Sequence, residues 1–447
     1  MTISEPVLTT RIPSLPFGDP RDRHLVRYEE YVASGGYETL RKALEMDTES
    51  IIHEVKESQL RGRGGAGFPC GLKWTFLPKD YEGRRYLTVN ADESEPATFK
   101  DRLLIDYDPH QLLEGIAITC YACKIQVAYI YIRGEYHKQA KTLERAIKEA
   151  YDNKIFGSQG LLGNSKWAVE CYVHRGAGAY VCGEETGLLE SIEGKRGWPR
   201  IKPPFPAVEG LFGKPTIINN VETISYVPHI VKRGAEWFKS LGVESSIGGP
   251  PSYGTKLMGV SGHVEKRGVY ELELGIKLSD LVEKYCGGIR DGKKFKAALP
   301  GGVSMGVLGT DQFDAEMDFD IGRKYQVLGL GTACPTIFDE DTSMVMVAKN
   351  ISRFFRHESC GQCTPCREGS AWLNKLVTRI ADGNGYSKDL DLVLEIASSM
   401  GAMPGTTICG LADGNNWAMR TIINKFRDEF EAIVKPSLVP VTVELSS

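Results

Sequence analysis

The chain has 447 residues, enough for two to four domains with separate cores. A net charge of −4, a pI near 6.1 and the absence of basic blocks give no reason to expect nucleic acid as a partner. No run of 18 apolar residues predicts a membrane span, and Met1–Pro6 lacks the basic and apolar segments of a secretory signal, so a cytoplasmic protein is expected, in which clustered cysteines signal metal rather than disulfides.

Residues 1–24, rich in proline and polar residues, read as an extended arm lying on a partner. Short helices are predicted over Tyr37–Met46 and Thr48–Ser58. Next comes a loop in which Gly62, Gly64 and Gly67 satisfy Gly-x-Gly-x-x-Gly. A helix precedes it and Pro69 follows, which is not the strand-to-helix context of a dinucleotide fingerprint. The plain alternative is a flexible surface loop. A binding loop is preferred, because Gly62, Gly64, Gly65 and Gly67, with Ala66 among them, bare backbone N–H groups between Arg61 and Phe68, close to Arg63 and Lys73. Phe68 and Phe76 read equally as core aromatics or as rings that stack on a base.

A strand over Arg85–Asn90 runs into Asn90-Ala91-Asp92-Glu93-Ser94-Glu95-Pro96, placing carboxylates where α/β sheets contact ligands; a solvated acidic loop is the alternative. Helix Pro109–Cys123, strand Gln126–Ile132, helix His137–Tyr151 and strand Ala168–Val173 continue an alternating pattern, which implies a parallel sheet covered by helices. Cys120 and Cys123 form a Cys-x-x-Cys inside an apolar helix and read as buried structural thiols. A second glycine-rich turn, His174–Thr186, contains Tyr180, Gly183, Glu184 and Glu185 and enters a helix. An acid there suits a ribose diol and repels a 2′-phosphate, favouring NAD over NADP; helix-start carboxylates are the alternative. Lys202–Pro206, containing Phe205, is a proline-rich loop. Asn219 and Asn220, before Thr223, stand at a predicted helix start, where they can donate to phosphate or simply cap.

Ser245–Pro251 reads as a linker. Strands Lys256–Gly262 and Val269–Leu274, helix Leu278–Tyr285 and strand Phe295–Leu299 suggest a small β-grasp domain with a scaffolding or partner role, and His263 there reads as a surface residue. Four helices, Met344–Phe355, Ser370–Ala381, Leu390–Met400 and Trp417–Ile433, then predict a bundle. The first loop between them carries Cys360, Cys363 and Cys366 at Cys-x-x-Cys-x-x-Cys spacing, and Cys409 lies between the third and fourth helices. Four thiolates suit a cubane iron–sulfur cluster. Zinc is the alternative, but its ligands more often come as two separate pairs.

Taken together, Arg61–Lys73, Asn90–Pro96, Gly176–Thr186, Asn219–Thr223 and Glu358–Arg367 closely resemble the NADH-binding, FMN-carrying subunits of bacterial respiratory complex I, over nearly the whole chain. The resemblance implies an α/β architecture: arm 1–24, a Rossmann-like FMN and NADH domain over 25–242, a β-grasp domain over 252–335, and a helical bundle with a [4Fe-4S] cluster over 336–447. It implies an NADH dehydrogenase that passes a hydride from NADH to FMN and single electrons to the cluster, as the input subunit of a proton-translocating NADH:quinone oxidoreductase. FMN would sit among Gly64, Gly65, Asn90, Asp92, Glu93, Tyr180, Gly183, Asn219, Asn220 and Thr223. Adenine would lie near Phe68, Phe76 and Phe205, with Lys73 and Lys202 near the phosphates. Glu185 would take the adenosine ribose, and Glu95, the one residue assigned to catalysis, would lie near the nicotinamide. Cys360, Cys363, Cys366 and Cys409 would hold the cluster.

The family usually places Gly after Glu-Pro, where this chain has Ala97, and a hydroxyl residue where it has Cys70. Implied partners are a small thioredoxin-like [2Fe-2S] subunit and a large multi-cluster iron–sulfur subunit. Through them the chain would reach the membrane arm, at the inner face of the cell membrane. A diaphorase subunit of an NAD-linked hydrogenase or formate dehydrogenase is the alternative within the family. From another class, a structural iron–sulfur protein would bind no flavin.

Overall fold

The structure, a computed structural model, describes residues 5–163, 167–401 and 405–437. It divides into two compact units, one ending at Glu340 and the other beginning at Asp341.

The first unit holds two four-stranded sheets. In the first sheet, β1 (Tyr86–Ala91), β2 (Val127–Ile132), β3 (Glu170–Arg175) and β4 (Thr216–Asn220) lie in the order β3-β2-β1-β4, all parallel. Strand β2, Val-Ala-Tyr-Ile-Tyr-Ile, is a nearly continuous apolar run: Ala128, Ile130 and Ile132 lie in the helix-covered core, and Val127 and Tyr131 on the opposite face are buried too. Helix Pro109–Ala122 is buried along almost its whole length and packs on helices Glu38–Glu45, His137–Asp152 and Val221–Arg233. Cys120, Cys123 and Cys171 belong to this core, and burial holds all three thiols above their ordinary pKa. Two details differ from the sequence expectation. Strand β3 starts two residues later than Ala168, and the expected helix start at Asn219 and Asn220 is found, with Asn220 capping helix Val221–Arg233, but it is preceded by an unexpected strand, Thr216–Asn220, whose Ile217 and Ile218 are buried.

The second sheet has β5 (Thr255–Gly262), β6 (Gly268–Glu273), β7 (Phe295–Leu299) and β8 (Thr336–Asp339) in the order β6-β5-β8-β7. Its inner pair β5–β8 is parallel and its outer pairs are antiparallel. Thr336–Asp339, assigned from sequence to the helical region, is thus a strand of this sheet. The helix expected over Leu278–Tyr285 is α-helical only to Asp280 and continues as a π-turn. His263 pairs with Asp339 at 3.0 Å.

The described part of the arm does not lie extended for a partner. Val7, Leu8 and Ile12 are buried in the chain's own core. The backbone N–H groups of Val7, Leu8 and Thr9 donate to the buried Glu271 carboxylate at 2.9–3.0 Å, and Leu15 bridges to Tyr270. A buried carboxylate needs such donors, and three consecutive amides supply them.

A second buried carboxylate joins the two sheets. Glu222, at the start of helix Val221–Arg233, accepts from Lys100 Nζ at 2.8 Å, Lys256 Nζ at 2.5 Å and the Leu257 amide at 2.9 Å. All three side chains are inaccessible to solvent, or within 1% of it.

The second unit is a bundle of helices Met344–Glu358, Thr364–Ala381, Ser387–Gly401 and Leu411–Lys425, each packed on the next and the fourth on the first. The second helix starts six residues earlier than expected, because Pro365 fits the first turn of a helix. The expected last helix breaks at Phe426, and a short helix Arg427–Glu431 follows. Among the described residues no helix is long and apolar enough to cross a membrane.

Candidate functional site

Successive crossovers carry the chain from β1 outward to β3, and it then returns to place β4 on the other side of β1. Such a switch point leaves a crevice outside the strand ends. Asn90 and Asn220 are paired across it at the C-terminal ends of β1 and β4. A cavity of about 830 Å³ opens there. Its wall includes Gly62, Gly64, Gly65, Ala66, Gly67, Phe68, Lys73, Phe76, Asn90, Gly183, Glu184, Glu185, Lys202, Phe205, Asn219, Asn220 and Thr223. Sequence reasoning did not single out Pro206, Ala207, Val208, Thr216 and Ile218, which complete the apolar part.

The glycine loop is held from behind. Arg61 donates to Gly67 O at 2.9 Å and pairs with Asp320 at 2.6 Å, so it braces the loop rather than lining the cavity. Thr223 Oγ1 accepts the Arg63 amide at 2.8 Å. Gly67 has φ +65°, and a Cβ there would meet the Phe319 ring at 2.9 Å; a Cβ at Gly64 would meet Asn220 Cβ at 3.0 Å. These positions need glycine, and the bare backbone faces the cavity. Asn219 is locked: Trp74 Nε1 donates to its Oδ1 at 3.0 Å, and its amide reaches Cys70 Sγ at 3.6 Å. Asn220 serves as a cap, accepting the Glu222 amide at 3.0 Å and donating to Asp101 at 2.6 Å.

Charge in the cavity is paired. Lys202 Nζ stands 2.9 Å from both Glu184 and Glu185, and Lys73 Nζ 3.8 Å from Glu185. Desolvation would lower the Lys202 pKa, but the two carboxylates outweigh it and hold it above the ordinary value. Glu184 also caps helix Glu185–Ile192, accepting the Thr186 and Gly187 amides at 2.8 and 2.9 Å. Of the two acids, then, Glu184 is committed to the helix start, whereas Glu185 makes no cap bond. Phe68 and Phe76 lie 6.0 Å apart, tilted by 52°, and with Phe205 are exposed.

Asp92, Glu93, Glu95 and Tyr180 lie off the cavity wall. Asp92 is buried and bonds Ser94. Glu93 turns to the start of helix Asp101–Tyr107, accepting the Asp101 and Arg102 amides at 2.6 and 3.0 Å. Desolvation and the nearby Asp101 charge push its carboxyl up to about 7. A folded pKa above the unfolded value means the native state keeps a proton that the unfolded chain has released. Stability should therefore fall as pH rises from about 4.5 to about 7. Glu93→Gln, permanently neutral, should flatten that stretch of the Tm–pH curve; an unaltered slope would place the proton elsewhere.

Glu95 accepts from Tyr180 OH at 2.5 Å and from the Ser304 amide and hydroxyl at 2.9 and 2.6 Å. Desolvation raises its pKa, and these donors oppose the rise. The loop Gly302–Ser304 of the second sheet thus clasps the residue expected nearest the chemistry. Two residues on, Ala97 has φ +72°. The left-handed region costs an alanine about 1–2 kcal/mol, partly offset by the greater unfolded-state entropy of glycine. Ala97→Gly should stabilise the chain by about 1 kcal/mol or less, raising Tm by up to about 2 °C; an unchanged or lowered Tm would show that the strain is relieved locally.

In the second unit, Gly361 with φ +77° turns the cysteine loop, and Arg367 Nη1 donates to its carbonyl at 2.8 Å. Cys363 is the N-cap residue of helix Thr364–Ala381, and Cys366 lies in its first turn. Cys360 and Cys363 lie close enough to act electrostatically on Cys366, whose thiol burial pushes up. Cys409 precedes Gly410, the N-cap residue of helix Leu411–Lys425. Helix N-termini favour negative charge, which a thiolate-bound cluster carries. Among the described residues no three His, Cys, Asp or Glu side chains converge as one metal ion requires. The donor set is all thiol, spread over one loop and one turn, and fits a multi-iron cluster better than zinc. The cavity likewise fits a ring-bearing phosphate ester, with bare amides, two lysines and apolar side chains together in its wall.

Known proteins are similar to this chain over the same stretches. Residues 55–229 match the family model described as Nuo51 FMN-binding domain, 257–308 match the SLBB domain, and 346–433 match the NADH-ubiquinone oxidoreductase-F iron-sulfur binding region. The solved structure of an NAD+-reducing [NiFe]-hydrogenase in the H2-reduced state is similar, with TM-score 0.80 and 34% identity, covering 93% of this chain and 68% of that one. The F subunit of NADH-quinone oxidoreductase from Rickettsia rickettsii (strain Sheila Smith) is 46% identical over 90% of this chain and 93% of its own length. The F subunit numbered 2 of the same enzyme from Rhizobium meliloti (strain 1021) is 48% identical over 98% of this chain and 99% of its own. End-to-end likeness of this extent, over a cavity and a cysteine set of the kind just described, shows that the chain belongs to the family of NADH-quinone oxidoreductase F subunits.

Proposed function

We propose that the chain is the electron-input subunit of an NADH:quinone oxidoreductase, oxidising NADH through FMN and a [4Fe-4S] cluster. The observation that carries this is the switch-point cavity, walled by the glycine loop, Lys73, Lys202 and Glu185, in a chain that also bears the four-cysteine set. When bound, FMN accepts a hydride and releases its electrons singly, which a one-electron cluster requires.

The chain's own residues bind and orient. The amides of Gly64 and Gly65, with the locked Asn219, would hold the flavin, and Phe68, Phe76 and Phe205 would take the adenine. Lys73 and Lys202 would neutralise phosphate, and Glu185 would accept the ribose hydroxyls. Glu95, clasped by Tyr180 and Ser304, keeps one carboxylate fixed beside the cavity without serving as a general base. Cys360, Cys363, Cys366 and Cys409 would ligate the cluster. The finer architecture fits the same reading: the β3-β2-β1-β4 sheet as Rossmann-like, and the sheet with the parallel β5–β8 pair as a β-grasp fold. Partner subunits follow from the family, and we read them as the thioredoxin-like [2Fe-2S] subunit and the large multi-cluster subunit, which would hold the chain at the inner membrane face. The hydrogenase alternative gains nothing further, because the NADH-quinone oxidoreductase relatives are more alike and are covered almost end to end.

Absorbance of the freshly isolated protein tests the proposal. Flavin bands in the blue region are expected, bleached by NADH; their absence would overturn it. Nucleotide choice tests the cavity. Glu185→Gln removes the charge that repels a 2′-phosphate and leaves Lys202 and Lys73 less neutralised. The ratio of kcat/KM for NADPH to that for NADH should rise by roughly tenfold, worth ~1.4 kcal/mol. An unchanged ratio would remove Glu185 from the ribose site.

A further inference from the structure

Cys366 is buried, whereas Cys360, Cys363 and Cys409 are only partly covered. Its Sγ lies 3.3 Å from Ser359 Oγ and 3.8 Å from Ser370 Oγ. Ser370 follows Cys366 by one helical turn on the same face. Ser370 and Asn415 are completely buried, and Asn415 Nδ2 donates to Ser370 Oγ at 3.4 Å. With that lone pair engaged, the Ser370 O–H has two sulfurs within reach, Met400 Sδ and Cys366 Sγ, each at 3.8 Å. A thioether is a weak acceptor and a thiolate a charged one, so the proton goes to Cys366. A cysteine bound to iron has lost its own proton and only accepts. Both serines must then be donors.

We propose that Ser359 and Ser370 donate hydrogen bonds to the ligand sulfur of Cys366 and thereby raise the reduction potential of the cluster, with Asn415 as the positioning residue that aims Ser370. This rests on the assignment of the four cysteines to a [4Fe-4S] cluster. Reduction adds one electron, supplied by NADH oxidation, and no proton. The added charge spreads onto the sulfurs, so donors to sulfur stabilise the reduced form more than the oxidised one. The hydroxyl protons stay on their oxygens throughout. Ser370, which no solvent reaches, holds its bond without competition from water.

The test is an EPR-monitored redox titration of the full holo chain, with iron and sulfide measured per polypeptide. At one applied potential near the midpoint, Ser359→Ala and Ser370→Ala should each lower the reduced-to-oxidised ratio by roughly three- to tenfold. The midpoint should move more negative, further in the double variant. Ser370→Thr keeps the hydroxyl and should stay at the parent value. Asn415→Leu leaves the ligand and both hydroxyls in place and should shift the midpoint in the same direction by less. Alanine variants with full iron content and an unmoved midpoint would overturn the proposal. If Ser370→Ala assembles no cluster, an unmoved midpoint in Asn415→Leu overturns the role of Ser370. A parent chain without iron and sulfide would overturn the cluster assignment itself, a result separable from a cluster that is present but insensitive to the serines.

Discussion

Cys409→Ala should abolish the [4Fe-4S] EPR signal while leaving flavin absorbance intact. Cys409 is the one member of the set outside the Cys360–Cys366 loop, and it enters from the turn before helix Leu411–Lys425. Three sulfurs from a single loop cannot complete a four-iron cubane. Loss of the fourth leaves one iron open to solvent, so conversion to a smaller cluster and complete loss both remove the signal. The flavin-side residues all precede Glu340, in the other compact unit, so the cavity does not depend on Cys409 for its packing. Survival of a full signal would place the fourth ligand elsewhere. Joint loss of cluster and flavin would show that the two units do not fold independently.

Glu222→Gln should be the most damaging single change in the first unit, costing about 3–5 kcal/mol of stability. It takes from Lys256 the carboxylate it pairs with at 2.5 Å, while Lys100 keeps Asp101 at 2.7 Å. Burial, opposed by Glu222, already brings the Lys256 pKa down to about 8, with Lys100 adding to the drop. Without Glu222 it must fall further. A lysine whose folded pKa lies below its unfolded value binds fewer protons in the native state, so stability rises with pH between the two. The deficit should therefore shrink as pH rises toward about 10. Urea midpoints measured at pH 7 and pH 9.5 check both size and sign. Adding Lys256→Met should recover much of the loss at neutral pH, because the glutamine still accepts the Leu257 amide while the unpaired ammonium is gone. A deficit below about 1 kcal/mol, or one that grows with pH, would mean that water reaches the lysines.

The elements legible in the sequence are those whose signal is local. Strand β2 shows its burial in an almost unbroken apolar run, and helix Pro109–Ala122 in the largely apolar stretch from Ile116 to Ala122. Strand β8 and strand β4 were missed because Thr-Ile-Phe-Asp and Thr-Ile-Ile-Asn-Asn are too short to show a period, and both become strands through their neighbours. The place of the arm is hidden for a similar reason: nothing in residues 5–15 announces that Glu271, more than 250 positions away, offers a buried acceptor for three amides.

The candidate site divides along the same line. Glycine spacing, acid pairs and cysteine spacing are chain-local, so Gly62–Gly67, Glu184–Glu185 and Cys360–Cys366 could be singled out before any fold existed. Which acid caps a helix and which pairs only with lysines could not: Glu184 and Glu185 are neighbours, and only the backbone path of helix Glu185–Ile192 separates their roles. Nor could the sequence connect Ser304 to Glu95, Trp74 to Asn219 or Asn415 to Ser370, because each pair meets across more than 40 residues.

By itself, then, the sequence determined the family, the cysteine set and the glycine loop, since their chemistry depends on residues close together in the chain. The tertiary structure decided the rest. It showed which groups face the switch-point cavity and which carboxylates are spent on holding backbone. It also showed that one cluster-ligand candidate, Cys366, lies between two hydroxyls. The physical reason is that hydrogen bonds and desolvation act over a few ångströms of space, whatever the distance along the chain.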